Sequence, residues 1–471
     1  MSISERAVDP DCTADELVTV RAVREAIHAE IAAGAGAAET ILASAVPLFH
    51  RALEEDLRPE RRVAHRTRVA EALSAFGFDP DAGADPYCGV VERVASIATD
   101  PASSAVRMLL ESLVAADLPG AGRTIEADGP AAGESEGNSL GEELTSAIRP
   151  DAVRTYLAAR LGRDVRVRSV KQLAGGLSKK TTLLTIDGDA AAPEEIVLRQ
   201  VAPGRDAHTL IDEFAVVGHV FGHGVAVPEP LWLEPQDNAL GGPFFATRRA
   251  RGANVGDVFG PDPGTTPKAA EALARELGNL HALAIDGAVP TPVPPMATRG
   301  EILDAIDEQR RLVRGVERAI GIDAAPLGSL LFEWLAANAP TGVETPVLLH
   351  GDPGFHNILL DGEELTAMLD WERARIGDPA QDLAYVRPAV ENIFEWEDFL
   401  RIYCEAGGRR PTDQQLAYYA VWHDAWRFVG SYRGLGRLVS EPRTLLDALL
   451  GLDYAPRYLR GGLEKAFEVA L

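Results

Sequence analysis

The segment 347–384, VLLHGDPGFHNILLDGEELTAMLDWERARIGDPAQDLA, constrains the fold more than any other part of the chain. An apolar run, Val347-Leu348-Leu349, delivers His350-Gly351-Asp352 into a turn rich in Pro and Gly. Asn357 opens a strand continued by Ile358-Leu359-Leu360, Asp361-Gly362 supplies turn chemistry, and Thr366 to Leu369 returns as a second strand ending at Asp370. In a hairpin the first residue of one strand faces the last of its partner. The pattern therefore predicts Asn357 and Asp370 side by side at the open end, with Asp352 a few residues upstream. A carboxylate and an amide oxygen held together suit Mg2+, a hard cation that takes few protein ligands and fills its shell with phosphate oxygens. A separate carboxylate close by can orient a hydroxyl and take its proton. Phosphoryl transfer needs that division of labour.

H-G-D-x-x-x-x-N, followed by D-W-E and G-D-P-x-x-D-L-A, resembles the aminoglycoside phosphotransferase family of protein-kinase-like enzymes. The resemblance implies an α+β, protein-kinase-like two-lobed fold, with a small β-rich N-lobe and a larger helical C-lobe. It also implies that Asp352 is the catalytic base, that Asn357 and Asp370 bind Mg2+, and that His350, Asp378 and Asp382 brace the loop. Taken alone, Asp378 and Asp382 read as helix N-caps, a role that can coexist with bracing.

Upstream, Gly175-Gly176-Leu177-Ser178 lies between two strands, where backbone N–H groups and the Ser178 hydroxyl would cover phosphates; a plain hairpin turn uses glycines too. The stretch departs from the kinase pattern G-x-G-x-x-G, and Lys179 and Lys180 after it read as an exposed strand start. Arg199, in Ile196-Val197-Leu198-Arg199, sits where the family presents its nucleotide-phosphate cation. A protein kinase has Lys there; Arg resembles the branch linked to acyl-CoA dehydrogenases, and a guanidinium can bridge phosphate and carboxylate oxygens. Its expected partner is Glu213, with the adjacent Asp212 left open. By resemblance, backbone groups near Arg249 to Arg251 meet the nucleotide base, and His281, in LGNLHAL, packs on a long helix. His219 and His223 are four apart, but no Cys or suitably placed Glu completes a zinc site. Near the C-terminus, His423, Asp424 and Arg427 stand among aromatics in the region where the family builds its acceptor pocket.

Residues 119–141, rich in Gly, Ala, Glu, Ser and Pro, read as a flexible linker. Before it, 1–118 reads as an all-α domain of unknown role, a surface for protein contact or self-association. After it, a kinase-like N-lobe is expected over 142–250 and a helical C-lobe over 251–471. Helices are expected over 142–161 and 209–222, and strands over 165–173, 181–187, 195–200, 230–234 and 243–249. From 267 onward helices dominate, with two short strands at 357–360 and 366–370.

The net charge of −25 over 471 residues opposes nonspecific binding to nucleic acid or to an anionic membrane. The start of the chain lacks a secretory pattern, and its three cysteines are far apart, so a cytoplasmic protein is expected. The expected activity is Mg2+-dependent transfer of the γ-phosphate of ATP, or of GTP, to a small-molecule hydroxyl. A hydroxyacyl-CoA or other metabolic alcohol and an aminoglycoside are both open as acceptors. The alternative is a nucleotide-binding pseudokinase acting as a regulatory or interaction module.

Overall fold

A computed structural model of the chain describes residues 148–173, 179–189, 192–203, 206–256, 265–285, 291–320, 326–439 and 450–468. The expected N-terminal helical domain and the linker lie outside these residues. The chain divides into two compact units, one holding Leu140–Ile302 and Pro340–Tyr419, the other Leu303–Ala339 and Ala420–Leu471.

The first unit begins with helix α1 (Pro150–Leu161), which has Pro at its first position and ends at Gly162 in the left-handed region. Strands β1 (Val167–Leu173), β2 (Lys180–Ile186), β3 (Glu195–Gln200), β4 (Pro230–Glu234) and β5 (Phe244–Arg248) form an antiparallel sheet in the order β1-β2-β3-β5-β4. Side chains alternate across a strand, and this alternation sorts the sheet into two faces. Leu184, Ile196, Leu198 and Ala246 pack with Val153 and Leu157 of α1 into a core. Arg199 follows Leu198 and so points to the opposite face.

Helix α2 (His208–Gly222) crosses between β3 and β4, burying Leu210, Glu213, Val216, Val217 and Val220 at helical spacing. One member of that stripe is a carboxylate. Its burial requires a cation, because an unpaired buried charge is expensive.

The rest of this unit carries β6 (Ala253–Asn254), α3 (Pro267–His281), β7 (Val347–Leu349), β8 (Ile358–Asp361), β9 (Glu364–Met368), β10 (Arg375–Gly377), α6 (Ala380–Glu391) and α7 (Trp396–Glu405). Helix α3 starts at Thr266, whose hydroxyl accepts the Ala269 N–H at 3.2 Å, with Pro267 next. It packs closely on α7: a Cβ on Gly278 would lie 2.4 Å from the Tyr403 carbonyl oxygen. Strands β6, β8 and β9 form one small sheet, and β7 pairs with β10 in another. Strands β6, β7 and β10 are additions to the expected pattern; each is too short for its periodicity to register. The returning hairpin strand runs from Glu364 to Met368, starting and ending two residues before the expected 366–370, and its ladder shifts register between Leu359 and Leu360.

The second unit takes in most of helix α4 (Arg299–Ile320), helix α5 (Pro326–Ala337), the C-terminal part of α8 (Asp413–Val439) and α9 (Ala455–Phe467), with α5 packed on α9. No helix among the described residues is long and apolar enough to cross a membrane.

Candidate active site

Strand β7 is buried along its length and leads into His350, which is fully buried. The loop that follows is held from below by Asp382 in the first turn of α6. Asp382 accepts the His350 N–H on Oδ2 at 2.8 Å and the Gly351 N–H on Oδ1 at 2.9 Å. His281 Nε2 adds a third contact to Oδ2 at 3.2 Å, and its Nδ1 lies 2.8 Å from the Tyr403 hydroxyl. Burial alone would raise the Asp382 pKa, but His281, His350 and the backbone donor outweigh it and hold the carboxyl below its ordinary value.

His350 Nε2 lies 2.9 Å from the Leu369 carbonyl oxygen. A carbonyl only accepts, so this nitrogen carries the proton, and Nδ1 is left to receive the Asp352 N–H at 3.3 Å. Burial lowers the His350 pKa despite Asp382, Asp352 and Asp370 nearby. Its ring also lies against Trp371, with centroids 4.5 Å apart. Gly351 has φ +83°, and a Cβ there would sit 2.3 Å from the Arg373 carbonyl oxygen. Both conformation and space demand glycine.

The Asp352 carboxyl is drawn down to about 2: burial works to raise it, but His356, Tyr385 and His350 together outweigh that. His356 Nε2 lies 3.4 Å from Asp352 Oδ1, an electrostatic contact longer than a good hydrogen bond. Asn357 donates through Nδ2 to the Asp352 carbonyl at 3.0 Å, which orients its amide within the loop. The Asn357 carbonyl accepts the Leu369 N–H at 2.7 Å, so Asp370 follows directly after the residue opposite Asn357. Asp370 itself has φ +66°, a conformation that Asp tolerates better than most side chains.

Above the loop lies a cluster of charge. Arg199 Nη2 donates to Asp370 Oδ1 at 2.8 Å and stands 3.6 Å from Glu213 Oε1. Glu213, 1% exposed, meets Lys179 Nζ at 2.9 Å, and Lys179 also pairs with Glu372. Burial works against charge on both cations, yet the carboxylates raise the pKa of Arg199 and of Lys179. Arg199 Nε is buried with no hydrogen-bond partner.

These contacts settle the choice between the two acidic neighbours: Glu213 faces Arg199, whereas Asp212 pairs with His208 at 2.7 Å. They also correct the reading of Lys179 and Lys180 as an exposed strand start. Both are buried, Lys179 because two carboxylates neutralise its ammonium. The other expected site residues are distributed differently. Gly175, Gly176 and Ser178 lie outside the described residues. Arg249 gives its N–H to the Glu195 carbonyl and its guanidinium to the Glu195 carboxylate, so it serves the sheet. Arg251 is exposed, 3.8 Å from Asp361, and its carbonyl accepts from Thr366. Asp378 accepts the Ala380 N–H at 2.9 Å at the head of α6 and the Gln415 amide at 2.8 Å. His423, Asp424 and Arg427 fall in the other compact unit, where Asp424 pairs with Lys465 and lies 3.9 Å from Arg427.

Residue reading missed Lys179, Glu372, His356 and Tyr385, and took His281 only for packing. The D-W-E pattern marked Glu372, and Lys179 is one of only five lysines in an Arg-rich chain. No local spacing joins these residues.

A five-stranded antiparallel sheet followed by a helical region with an H-G-D loop defines a kinase-like phosphotransferase fold. The chain belongs to the phosphotransferase enzyme family (APH), whose profile matches residues 169–429. Mouse (Mus musculus) acyl-CoA dehydrogenase family member 10 is 28% identical over 303 residues, covering 59% of this chain and 27% of that protein. Chicken (Gallus gallus) acyl-CoA dehydrogenase family member 11 is 27% identical over 282 residues, covering 53% and 34%. The chain therefore spans about a third or less of the length of these relatives. The crystal structure of a candidate aminoglycoside phosphotransferase from Ralstonia eutropha superposes with a TM-score of 0.53 at 19% identity, covering 69% of this chain and 99% of that one. Both the family and the branch linked to acyl-CoA dehydrogenases thus agree with the sequence resemblance.

Proposed function

We propose that the protein transfers the γ-phosphate of a nucleoside triphosphate to a hydroxyl of a small molecule. The observation that carries this reading is Arg199, bonded to Asp370 at 2.8 Å, whose buried Nε–H lacks any hydrogen-bond partner. A buried donor left unmade is costly, and a phosphate oxygen is a fitting acceptor for a guanidinium. The same test favours a metal. Asp370 offers a carboxylate and Asn357 an amide oxygen at adjoining hairpin positions, a hard-oxygen pair that Mg2+ completes with water and phosphate. Bound there, Mg2+ would offset the charge on the phosphate oxygens.

The chain's own residues account for the rest. Asp352, with a pKa of about 2, is ionised at neutral pH and accepts a hydrogen bond from the acceptor hydroxyl. So weak a base orients the hydroxyl first and takes its proton late in the transfer. Asp382, His350 and His281 keep that loop in place. Arg199 leaves Asp370 for the phosphates and helps to align them.

The names of the relatives favour an acceptor from acyl-CoA metabolism, a hydroxyacyl-CoA or a related alcohol, over an aminoglycoside. The test is ADP or GDP release from Mg-ATP and Mg-GTP with hydroxyacyl-CoAs, aminoglycosides and macrolides, comparing wild type with Asp352→Ala. Acceptor-dependent release that disappears in the variant supports the reading and identifies the acceptor class. Nucleotide binding without turnover on any acceptor favours a pseudokinase module instead.

A further inference from the structure

Five charged side chains meet above the loop: the cations Lys179 and Arg199, and the carboxylates Glu213, Asp370 and Glu372. Their distances divide them. Lys179 sits 2.9 Å from Glu213 and also holds Glu372, whereas Arg199 is 3.6 Å from Glu213 and bonds Asp370 at 2.8 Å. Lys179 and Glu213 are almost wholly buried, with side chains 3% and 1% exposed, while Arg199 and Asp370 retain 18% and 24%. Lys179 is thus locked in, and Arg199 is the cation with an open donor.

We infer that Lys179 is a positioning residue: it neutralises Glu213 permanently so that Arg199 stays free to exchange Asp370 for the phosphates of a nucleotide. The inference rests on the phosphotransferase reading above. A single cation serving both Glu213 and a phosphate would be shared between them. Here the two duties fall to two residues. Without Lys179, Glu213 is left as a buried anion only 3.6 Å from Arg199, and the guanidinium is the nearest charge able to compensate it. Arg199 would then be drawn away from the phosphates, although Lys179 itself need never touch the nucleotide.

The consequence is an unusual rescue. Lys179→Met should weaken binding of a fluorescent ATP analogue, titrated with and without Mg2+, by roughly tenfold or more. Adding Glu213→Gln removes the anion that captures Arg199 and should return the affinity to within about threefold of wild type; Lys179→Arg should bind almost as wild type. Wild-type affinity in Lys179→Met, or weaker binding in the double variant than in the single one, overturns the inference. If the wild type binds no nucleotide, the functional reading fails, and the same variants are compared in thermal melting. A lower melting temperature in Lys179→Met that Glu213→Gln restores still supports the buried pairing; no change in either overturns it.

Discussion

Replacing Asp382 with Asn tests the brace beneath the catalytic loop, since it preserves volume while removing charge. Asp382 receives three hydrogen bonds in this structure, from His350 N, Gly351 N and His281 Nε2. An Asn has one accepting oxygen. Its better orientation keeps that oxygen at the Oδ2 position, serving His350 and His281, and turns its NH2 toward the Gly351 N–H. The orphaned, partly buried N–H costs about 1–3 kcal/mol, and the two surviving bonds lose their charge assistance, roughly another 1 kcal/mol. The sum is about 3 kcal/mol. For a domain of about 150–250 residues this lowers the melting temperature by roughly 6–12 °C. Turnover should fall at least about tenfold because Gly351 and Asp352 lose their anchor. Affinity for nucleotide should change little, since Lys179 and Arg199 are untouched. Differential scanning calorimetry and steady-state kinetics on the same preparation decide the matter. A melting temperature within about 2 °C of wild type, with wild-type turnover, would refute the argument that this carboxylate holds the loop.

Three further outcomes follow from the same geometry. Gly351→Ala should destabilise the protein and abolish turnover, because its Cβ would meet the Arg373 carbonyl at 2.3 Å on a backbone with φ +83°; expression and melting temperature report it. Asp352→Asn should lower turnover by about 10²–10⁴-fold with the fold intact, measured as ADP release beside a circular dichroism spectrum. Stability should depend on pH through His350, whose folded pKa lies below the ordinary 6.5 because it is buried. The unfolded chain binds that proton first, so this contribution is complete above about pH 6.5 and is lost as pH falls below it, by up to about 1.4 kcal/mol per unit. Urea denaturation at pH 7.5 and 5.5 should therefore differ by on the order of 1 kcal/mol, and His350→Asn should flatten the difference.

Much of the site was legible before any fold was known, for reasons that operate over short stretches of chain. The spacing from His350 through Asp352 to Asn357, and the hairpin return to Asp370, fix which side chains share one turn, because the loop is short and bounded by strands. Alternation marked 195–200 as a strand, and the structure put its Ile196 and Leu198 in the core, leaving Arg199 on the opposite face. Resemblance offered Glu213 as the partner of Arg199 with Asp212 open beside it, and the choice between them waited on what that helix packs against. Lys179 shows the limit most plainly. Its contact Glu372 lies 193 residues away, and Arg199 reaches Asp370 across 171. No periodicity spans such separations. Sequence determined which residues carry charge and how each sits on its own element; only the tertiary path of the sheet over the loop decided which charges meet, because burial makes each cation take whichever carboxylates the packing brings within reach.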